Sequence, residues 1–320
     1  MQLLDLKYGA FGLDISDSSV KIVKLEKKRG KFVVASYGQT KLKPGTVELG
    51  IIKNAKELAE AIRLVYKTVK GKKLKAEHAV ISLPEEQSFL QVIQMPKMTA
   101  EELKSAILFE AENYIPLPIK QVYLDFQVIE PIKDDLDHVD VLVAAMPMQL
   151  VDAYLLCIKA AGLTTLAAEL ESQSIARALI KNDTSEFPVV ILDIGNNNIN
   201  FIVFSGHAIR FTSSLSMQAT EENLGELAEQ IKKYINFYQE HASHEHLFLE
   251  SKVKKIILCG GGSSLKKLPE FLTEKLGIKT ELGNPFINSP LLKNAAQDAG
   301  FLPYATALGS ALGGVNIEND

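Results

Sequence analysis

Two stretches decide the fold of this 320-residue chain: LDIS at residues 13–16 and LDIG at residues 192–195. In each, an aspartate lies between two aliphatic residues at the end of an apolar run. A polar turn follows, and then a second apolar run. Superposing the stretches puts Ser18 and Ser19 on Asn197 and Asn198, and Val20, Ile22 and Val23 on Ile199, Phe201 and Ile202. A unit repeated in two halves indicates a duplicated pair of domains.

The polar turns predict phosphate contacts. A tight turn between two strands aims backbone N–H groups and short polar side chains at one spot, which favours an anion. The candidate residues are Ser16, Ser18, Ser19 and Lys21 in the first copy, and Gly195, Asn196, Asn197 and Asn198 in the second. Asp14 and Asp193 cannot bind phosphate directly, but each could hold Mg²⁺ and its waters. A single hairpin of this kind is equally compatible with an ordinary β-turn, and that alternative stays open.

A third element follows the apolar strand 256–258. Gly260, Gly261, Gly262 and Ser263 form a glycine-rich turn before a predicted helix. Glycines allow the backbone to approach a flat ligand closely, and a helix N-terminus offers free N–H groups. The alternative is a strand-to-helix turn that binds nothing.

Composition argues against several classes of protein. The formal charge is -4 and the pI is about 6.0, which leaves no basic footprint for a nucleic acid. Cys157 and Cys259 lie in apolar segments without metal-ligand spacing, so we expect buried thiols in a reducing compartment. Neither a signal peptide nor an apolar run of membrane-spanning length is evident. We therefore expect a cytosolic protein that meets a membrane only through a partner.

The remaining pattern predicts the order of elements. We expect a helix over 54–69, a strand over 78–83, a β-α-β-β-α insert over 85–161, a helix over 167–181, a linker at 184–188, a long amphipathic helix with Leu224, Leu227, Ile231, Ile235 and Tyr238 on one face, and a last helix near 305–314. His241, His244 and His246 are more typical of a polar helix end than of a metal site.

This order of motifs resembles the actin-like ATPase superfamily. The stretches GLDISDSSVKIVKLE, VVILDIGNNNINFIV, ILCGGGSSLKKLPEFLTEKLG and YATALGSALGG are similar to the type IV pilus assembly protein PilM family, which is related to the division protein FtsA. The insert resembles the SHS2 domain of those proteins. The resemblance implies an α/β, actin-like (ribonuclease H-like) duplicated fold with an inserted SHS2 α+β module. It assigns 1–84 and 162–183 to the first domain, 85–161 to the SHS2 module, and 184–320 to the second domain, with a reduced covering subdomain around 218–250.

The resemblance also implies a function. We expect a cytosolic component of a type IV pilus machine that binds the N-terminal tail of a PilN-like inner-membrane protein between the first domain and the SHS2 module. Other platform or motor components and further copies of the chain itself are candidate partners. ATP and Mg²⁺ are the implied cofactors. Glu169 and Glu171 match acidic positions that could orient water or metal.

Departures from the family pattern leave ATP hydrolysis open. Ser16 replaces a turn glycine, and Asn196–Asn198 replaces a small, hydroxyl-rich loop. The alternative hypothesis is an FtsA-like homologue that hydrolyses Mg-ATP or polymerises. A sugar kinase on the same fold is disfavoured, because the insert does not resemble a sugar-binding module.

Overall fold

The computed structural model describes residues 9–28, 31–131, 136–241, 251–288 and 299–317. In these ranges the strands, in chain order, are β1 (Phe11–Ile15), β2 (Ser19–Lys28), β3 (Lys31–Lys41), β4 (Val47–Glu48), β5 (Ile51–Ile52), β6 (Lys70–Gly71), β7 (His78–Leu83), β8 (Phe89–Pro96), β9 (Val122–Ile129), β10 (His138–Pro147), β11 (Thr164–Leu170), β12 (Ser185–Ile194), β13 (Ile199–Gly206), β14 (Ala208–Leu215), β15 (Lys255–Cys259) and β16 (Lys279–Leu282). The helices are α1 (Ala55–Thr68), α2 (Ala100–Ala111), α3 (Met148–Ala160), α4 (Glu171–Leu179), α5 (Leu224–His241), α6 (Leu268–Leu276) and α7 (Ala305–Ile317).

The chain forms two compact units. The first contains Met1–Pro84, Asp152–Leu179 and Asn284–Asp320, and the second contains Glu85–Val151 and Ile180–Gly283. Most of the predicted insert therefore lies in the second unit, together with the second repeat. The domain boundaries inferred from the sequence remain a prediction.

The two units carry the same sheet. In the first the order is β11-β7-β1-β2-β3-β6, with β1 antiparallel to β2 and parallel to β7. In the second the order is β14-β13-β12-β15-β16, with β12 antiparallel to β13 and parallel to β15. Five strands of each sheet correspond one to one, so the internal repeat predicted from the two LDI stretches is a repeat of topology.

Close helix packing stabilises the first sheet. Helix α7 packs on β1 and β2 through Leu308, Ala311 and Leu312, which meet Val23 and Leu25. The approach depends on glycine, since a Cβ at Gly12 would lie 1.9 Å from the carbonyl oxygen of Ala307. Burial of small residues therefore brings the strand and helix backbones into direct contact.

The second unit buries the predicted face of its long helix. Leu227, Ile231, Ile235 and Tyr238 of α5 are buried against the five-stranded sheet, as the periodicity of the sequence predicted.

The insert contributes a separate three-stranded sheet to this unit. Its order is β8-β10-β9, and its inner face packs on α2 through Ile93, Leu103, Ile107 and Val143. Helix α2 begins with a capping box, in which Thr99 and Glu102 satisfy each other's backbone N–H groups.

Two predictions of secondary structure were wrong. Residues 167–170 were expected to begin a helix, but they complete β11, which runs parallel to β7, and α4 begins only at Glu171. Sheet pairing overrides the helix propensity of this alanine-rich segment. Most of the expected linker, from Ser185 onward, is the start of β12.

Candidate functional site

The first loop, residues 16–18 between β1 and β2, lies next to an ion pair that connects the two strands. Asp14 on β1 lies opposite Lys21 on β2, and Lys21 Nζ donates to Asp14 Oδ2 at 2.8 Å. The side chain of Lys21 is 11% exposed and that of Asp14 is 4% exposed. The other carboxylate oxygen of Asp14 accepts from Ser82 Oγ at 3.3 Å. Both oxygens of the predicted metal ligand thus have partners in the protein.

The serines of this loop close its turn. The backbone N–H of Ser16 donates to the carbonyl of Ser19 at 2.9 Å, and Ser16 Oγ lies 3.1 Å from the same oxygen. The carbonyl of Ser18 accepts from the backbone N–H of Leu42. These polar groups of the turn therefore form their hydrogen bonds with other residues of the first unit.

Sequence reasoning missed Asp17 in this loop. Its carboxylate accepts from the backbone N–H groups of Leu49 and Gly50, at 2.8 and 3.1 Å. Leu49 and Gly50 form the β4–β5 turn, and Leu49 has a φ of 48°. Asp17 therefore fixes a left-handed turn 32 residues away. The sequence carries no local signal for so distant a contact.

The second loop, residues 195–198 between β12 and β13, repeats the backbone hydrogen bond of the first. The N–H of Gly195 donates to the carbonyl of Asn198 at 2.9 Å. A Cβ at Gly195 would lie 2.5 Å from Asn198 Oδ1 and 2.9 Å from the carbonyl oxygen of Asn198, so a larger residue here would have to displace Asn198. Asn196 and Asn197 are exposed. Asn198 is turned inward, and its amide donates to the carboxylate of Glu86, in the short 3₁₀ turn before β8.

The glycine turn after β15 packs against the second loop. Gly260 has a φ of 81°, and a Cβ there would lie 2.4 Å from Asp193 Oδ1. A Cβ at Gly262 would meet Ile194 at the same distance, whereas nothing lies within 4 Å of one at Gly261. Two of the three glycines are thus explained by packing, and only Gly261 faces open space.

The remaining predicted residues of this turn have internal partners. Ser263 is buried, and its hydroxyl donates to the carbonyl of Gly260 at 2.7 Å. Cys259 Sγ lies 3.6 Å from Asp193 Oδ1. Burial, and then the neighbouring Asp193 carboxylate, raise the pKa of the Cys259 thiol well above its ordinary range.

Glu169 and Glu171 lie where β11 passes into α4. Glu169 Oε1 accepts from Arg177 Nη1 at 2.7 Å and from Ser174 Oγ at 2.5 Å. Arg177 also donates to the carbonyl of Gly309 on α7. Glu169 therefore links β11, α4 and α7, and Glu171 is buried as the first residue of α4. Their predicted role toward water or metal stays a prediction.

The contacts of the first loop disfavour a metal ion at Asp14. The Asp14 carboxylate is already neutralised by the ammonium of Lys21. Among the described residues, three or more His, Cys, Asp or Glu side chains are nowhere grouped as a metal site. A metal held through Asp14 would have to compete with a buried ion pair.

Comparison with known proteins decides the family. Residues 12–217 and 220–314 match the model of the type IV pilus assembly protein PilM. The chain belongs to the PilM family. It is similar to a solved PilM-PilN type IV pilus biogenesis complex with a TM-score of 0.81 at 23% identity, covering 97% of this chain and 99% of that one.

Two further structures share the architecture of the family. The ethanolamine utilization protein EutJ of Carboxydothermus hydrogenoformans has a TM-score of 0.54 at 14% identity, covering 95% of this chain and 89% of that one. The cytoplasmic domain of EpsL, an inner-membrane component of the type II secretion system of Vibrio cholerae, has a TM-score of 0.50 at 10% identity, covering 95% and 94%. At these identities the likeness shows the fold alone, and that fold is the expected actin-like α/β fold.

Proposed function

We propose that this chain is a component of the type IV pilus assembly machinery that binds the N-terminal cytoplasmic tail of a PilN-like inner-membrane protein. The family match over nearly the whole chain carries the proposal. Among the described residues, no helix is both long enough and apolar enough to cross a bilayer. The proposed tail would supply the link to the membrane and place the protein at the cytoplasmic face of the inner membrane.

Exposed apolar side chains in the first unit support binding of a tail. Leu156 on α3 is 66% exposed, Leu64 on α1 52%, Leu49 47% and Ile51 41%. These residues lie on elements that contact each other, because Tyr154 Oη donates to the carbonyl of Gly50 at 2.9 Å and Arg63 of α1 donates to the carbonyl of Ala160. Exposed apolar surface of this kind marks interaction sites in soluble proteins.

The test is a titration of the full chain with a synthetic peptide. The peptide carries the cytoplasmic N-terminal residues of a PilN-like protein from the same organism, and isothermal calorimetry measures its affinity. We expect binding that weakens at least tenfold in Leu156→Asp. Leu282→Asp is the matched control, because Leu282 is 41% exposed on β16 of the other unit. No binding to the unmodified chain would refute the proposal.

The repeated loops favour nucleotide binding as a second candidate function. In the first loop the phosphates of ATP would contact Lys21 and the turn N–H groups, and Mg²⁺ would have to be held through waters bound to Asp14; in the second loop the turn N–H groups and Asp193 would take the same roles. A ligand that binds only the folded state at 100 times its Kd adds about 2.7 kcal/mol of stability. Thermal unfolding with ATP plus Mg²⁺, ATP plus EDTA, or neither tests this. An unchanged melting temperature in all three would exclude it, and release of phosphate would favour the ATPase alternative.

A further inference from the structure

A groove in the second unit lies between the insert and the second repeat. It encloses about 630 Å³ and is lined by β8 on one side and by β14 and α5 on the other. That volume is within the range of ligand-binding pockets. Four successive residues of β8, Gln91 to Gln94, line the groove. Successive side chains of a strand point to opposite faces, so four in a row indicate that the groove borders the edge of the strand.

The edge of β8 is unpaired among the described strands. The insert sheet runs β8-β10-β9, which leaves β8 with a neighbour on one side only. The side-chain amide of Gln91 lies 3.4 Å from the carbonyl oxygen of Val92. A strand carbonyl reached by a side chain in this way points out of the sheet, away from β10.

The register between β9 and β10, on the side of the sheet away from the groove, gives the same orientation for the backbone groups of Val92. The N–H of Phe126 on β9 donates to its neighbour Asp125 at 2.9 Å and so points away from β10. Phe126 lies opposite Val143, whose backbone groups must then point toward β8. Val143 lies opposite Gln91, so Gln91 pairs with β10. Its neighbour Val92, one residue along, therefore turns its N–H and C=O toward the groove.

An aromatic wall faces this edge. The ring of Phe237 lies 5.5 Å from that of Phe211 and stacks on His241 at 4.4 Å between centroids. Phe237 is 48% exposed, and Tyr114, which also lines the groove, is 44% exposed. Aromatic rings have few rotatable bonds, so they lose little conformational entropy when they pack against a large apolar side chain of a ligand.

The charges of the groove compensate each other. Asp140 and Arg210 are its charged lining residues at neutral pH, and they form an ion pair with each other. Asp140 Oδ1 is buried and accepts no hydrogen bond from the described residues, and His138 Nε2 lies 3.5 Å from it. A buried carboxylate oxygen of this kind is best satisfied by a neutral donor such as a peptide N–H.

We propose that this groove binds an extended, uncharged peptide segment of a partner protein, which adds to β8 as a fourth strand and places a large apolar side chain against Phe211 and Phe237. The outward backbone groups of Val92 supply the main-chain hydrogen bonds, and the aromatic wall supplies the specificity. Charge compensation makes an uncharged segment the better fit, because a charged one would bring an unpaired charge beside a buried ion pair.

The test begins with selection of displayed random heptapeptides on the full-length chain. The tightest sequence is then synthesised and measured by fluorescence anisotropy. Strand addition uses alternate peptide N–H groups, so N-methylation of one alternate set should abolish binding while the other set is tolerated. Recovery of no peptide that binds below 100 μM would overturn the proposal, and so would equal loss for both methylated sets.

Variants of the chain place the peptide in the groove. Phe237→Ala should weaken binding at least tenfold, and Val92→Pro should do the same by removing an outward N–H that an edge strand can lose without unfolding. Phe109→Ala is the matched control, since Phe109 is 77% exposed on α2 and outside the groove. A concentration-dependent dimer that Phe237→Ala dissociates would instead make a second copy the occupant and overturn the proposal.

This site is independent of the proposed PilN-like tail. Leu156→Asp should leave the affinity of the selected peptide unchanged, and Phe237→Ala should leave the tail affinity unchanged. If one of the two binding tests fails, the proposal that the other one tests is therefore unaffected.

Discussion

Arg210 on β14 forms an ion pair with Asp140 on β10, and the two side chains are only 5% and 7% exposed. The pair connects the insert to the second repeat within one unit. A buried ion pair contributes little net stability, but loss of one partner leaves an uncompensated charge in the interior, which costs about 3–5 kcal/mol.

That asymmetry gives a first prediction. Arg210→Met should lower the stability of the second unit by about 3–5 kcal/mol, and adding Asp140→Leu should restore most of the loss. Hydrogen exchange of the strand amides in this unit measures both changes. Lys255→Met is the control, because the Lys255–Glu281 pair is about one-third exposed, and it should cost less than about 1 kcal/mol. Equal losses in the single and double variants would contradict the prediction.

A second prediction concerns the contact between β1 and α7. Gly12→Ala places a methyl group against the backbone of Ala307 and should destabilise the first unit by about 1–3 kcal/mol or more. Gly225→Ala in α5 meets nothing within 4 Å and should gain up to about 1 kcal/mol from helix propensity. Thermal unfolding of both variants should shift in opposite directions, and a Gly12→Ala chain as stable as the unmodified one would exclude close packing at this point.

The glycines also show what the sequence could and could not reveal. The hairpins were predictable because alternating apolar residues fix both the strand register and the position of the turn. A glycine that approaches a ligand and one that approaches its own chain look the same in sequence. Gly260 and Gly262 are predicted ligand contacts, and both also lie directly against the second loop.

Contacts between distant residues were beyond sequence reasoning altogether. Asp17 bonds to the turn at Leu49, and Arg210 pairs with Asp140, without any local pattern that marks them. The strand at 167–170 was missed for a related reason. Its alanines favour a helix, and only the neighbouring strand β7 makes it extended.

A third prediction follows from the two buried thiols. Burial raises the pKa of Cys157 to about 11, and burial beside Asp193 raises that of Cys259 well above its usual range. Both thiols should therefore resist iodoacetamide at pH 8 in the folded chain and react in denaturant. A single fast-reacting thiol in the native protein would be inconsistent with this burial.

The same thiols make stability depend on pH. A thiol whose pKa is raised by folding stays protonated in the native state, while the same thiol in the unfolded chain ionises near its ordinary pKa of 9.0. The unfolded state is then favoured as the pH rises through 9 toward 11, so stability should fall in that window and be unaffected by these groups below it. Cys157→Ala should reduce the slope of melting temperature against pH between 9 and 11. An unchanged slope would show that Cys157 ionises alike in both states.

The last prediction concerns the contact between Asn198 and Glu86, which brings a carboxylate against the second loop. An anion approaching the N–H groups of that loop must overcome the repulsion of this charge and compete for the Asn198 amide. Glu86→Gln keeps the shape of the side chain and removes the charge. Since two unit charges 4 Å apart interact by about 4 kcal/mol near a protein surface, even a small part of that repulsion changes affinity severalfold. We therefore expect tripolyphosphate to bind Glu86→Gln at least fivefold more tightly than the unmodified chain, as measured by calorimetry at low salt.

Glu101→Gln removes an exposed charge from the first turn of α2 and serves as the control. If the two variants bind tripolyphosphate alike, Glu86 does not oppose anions at this loop, and its bond to Asn198 serves only to attach the insert to the second repeat.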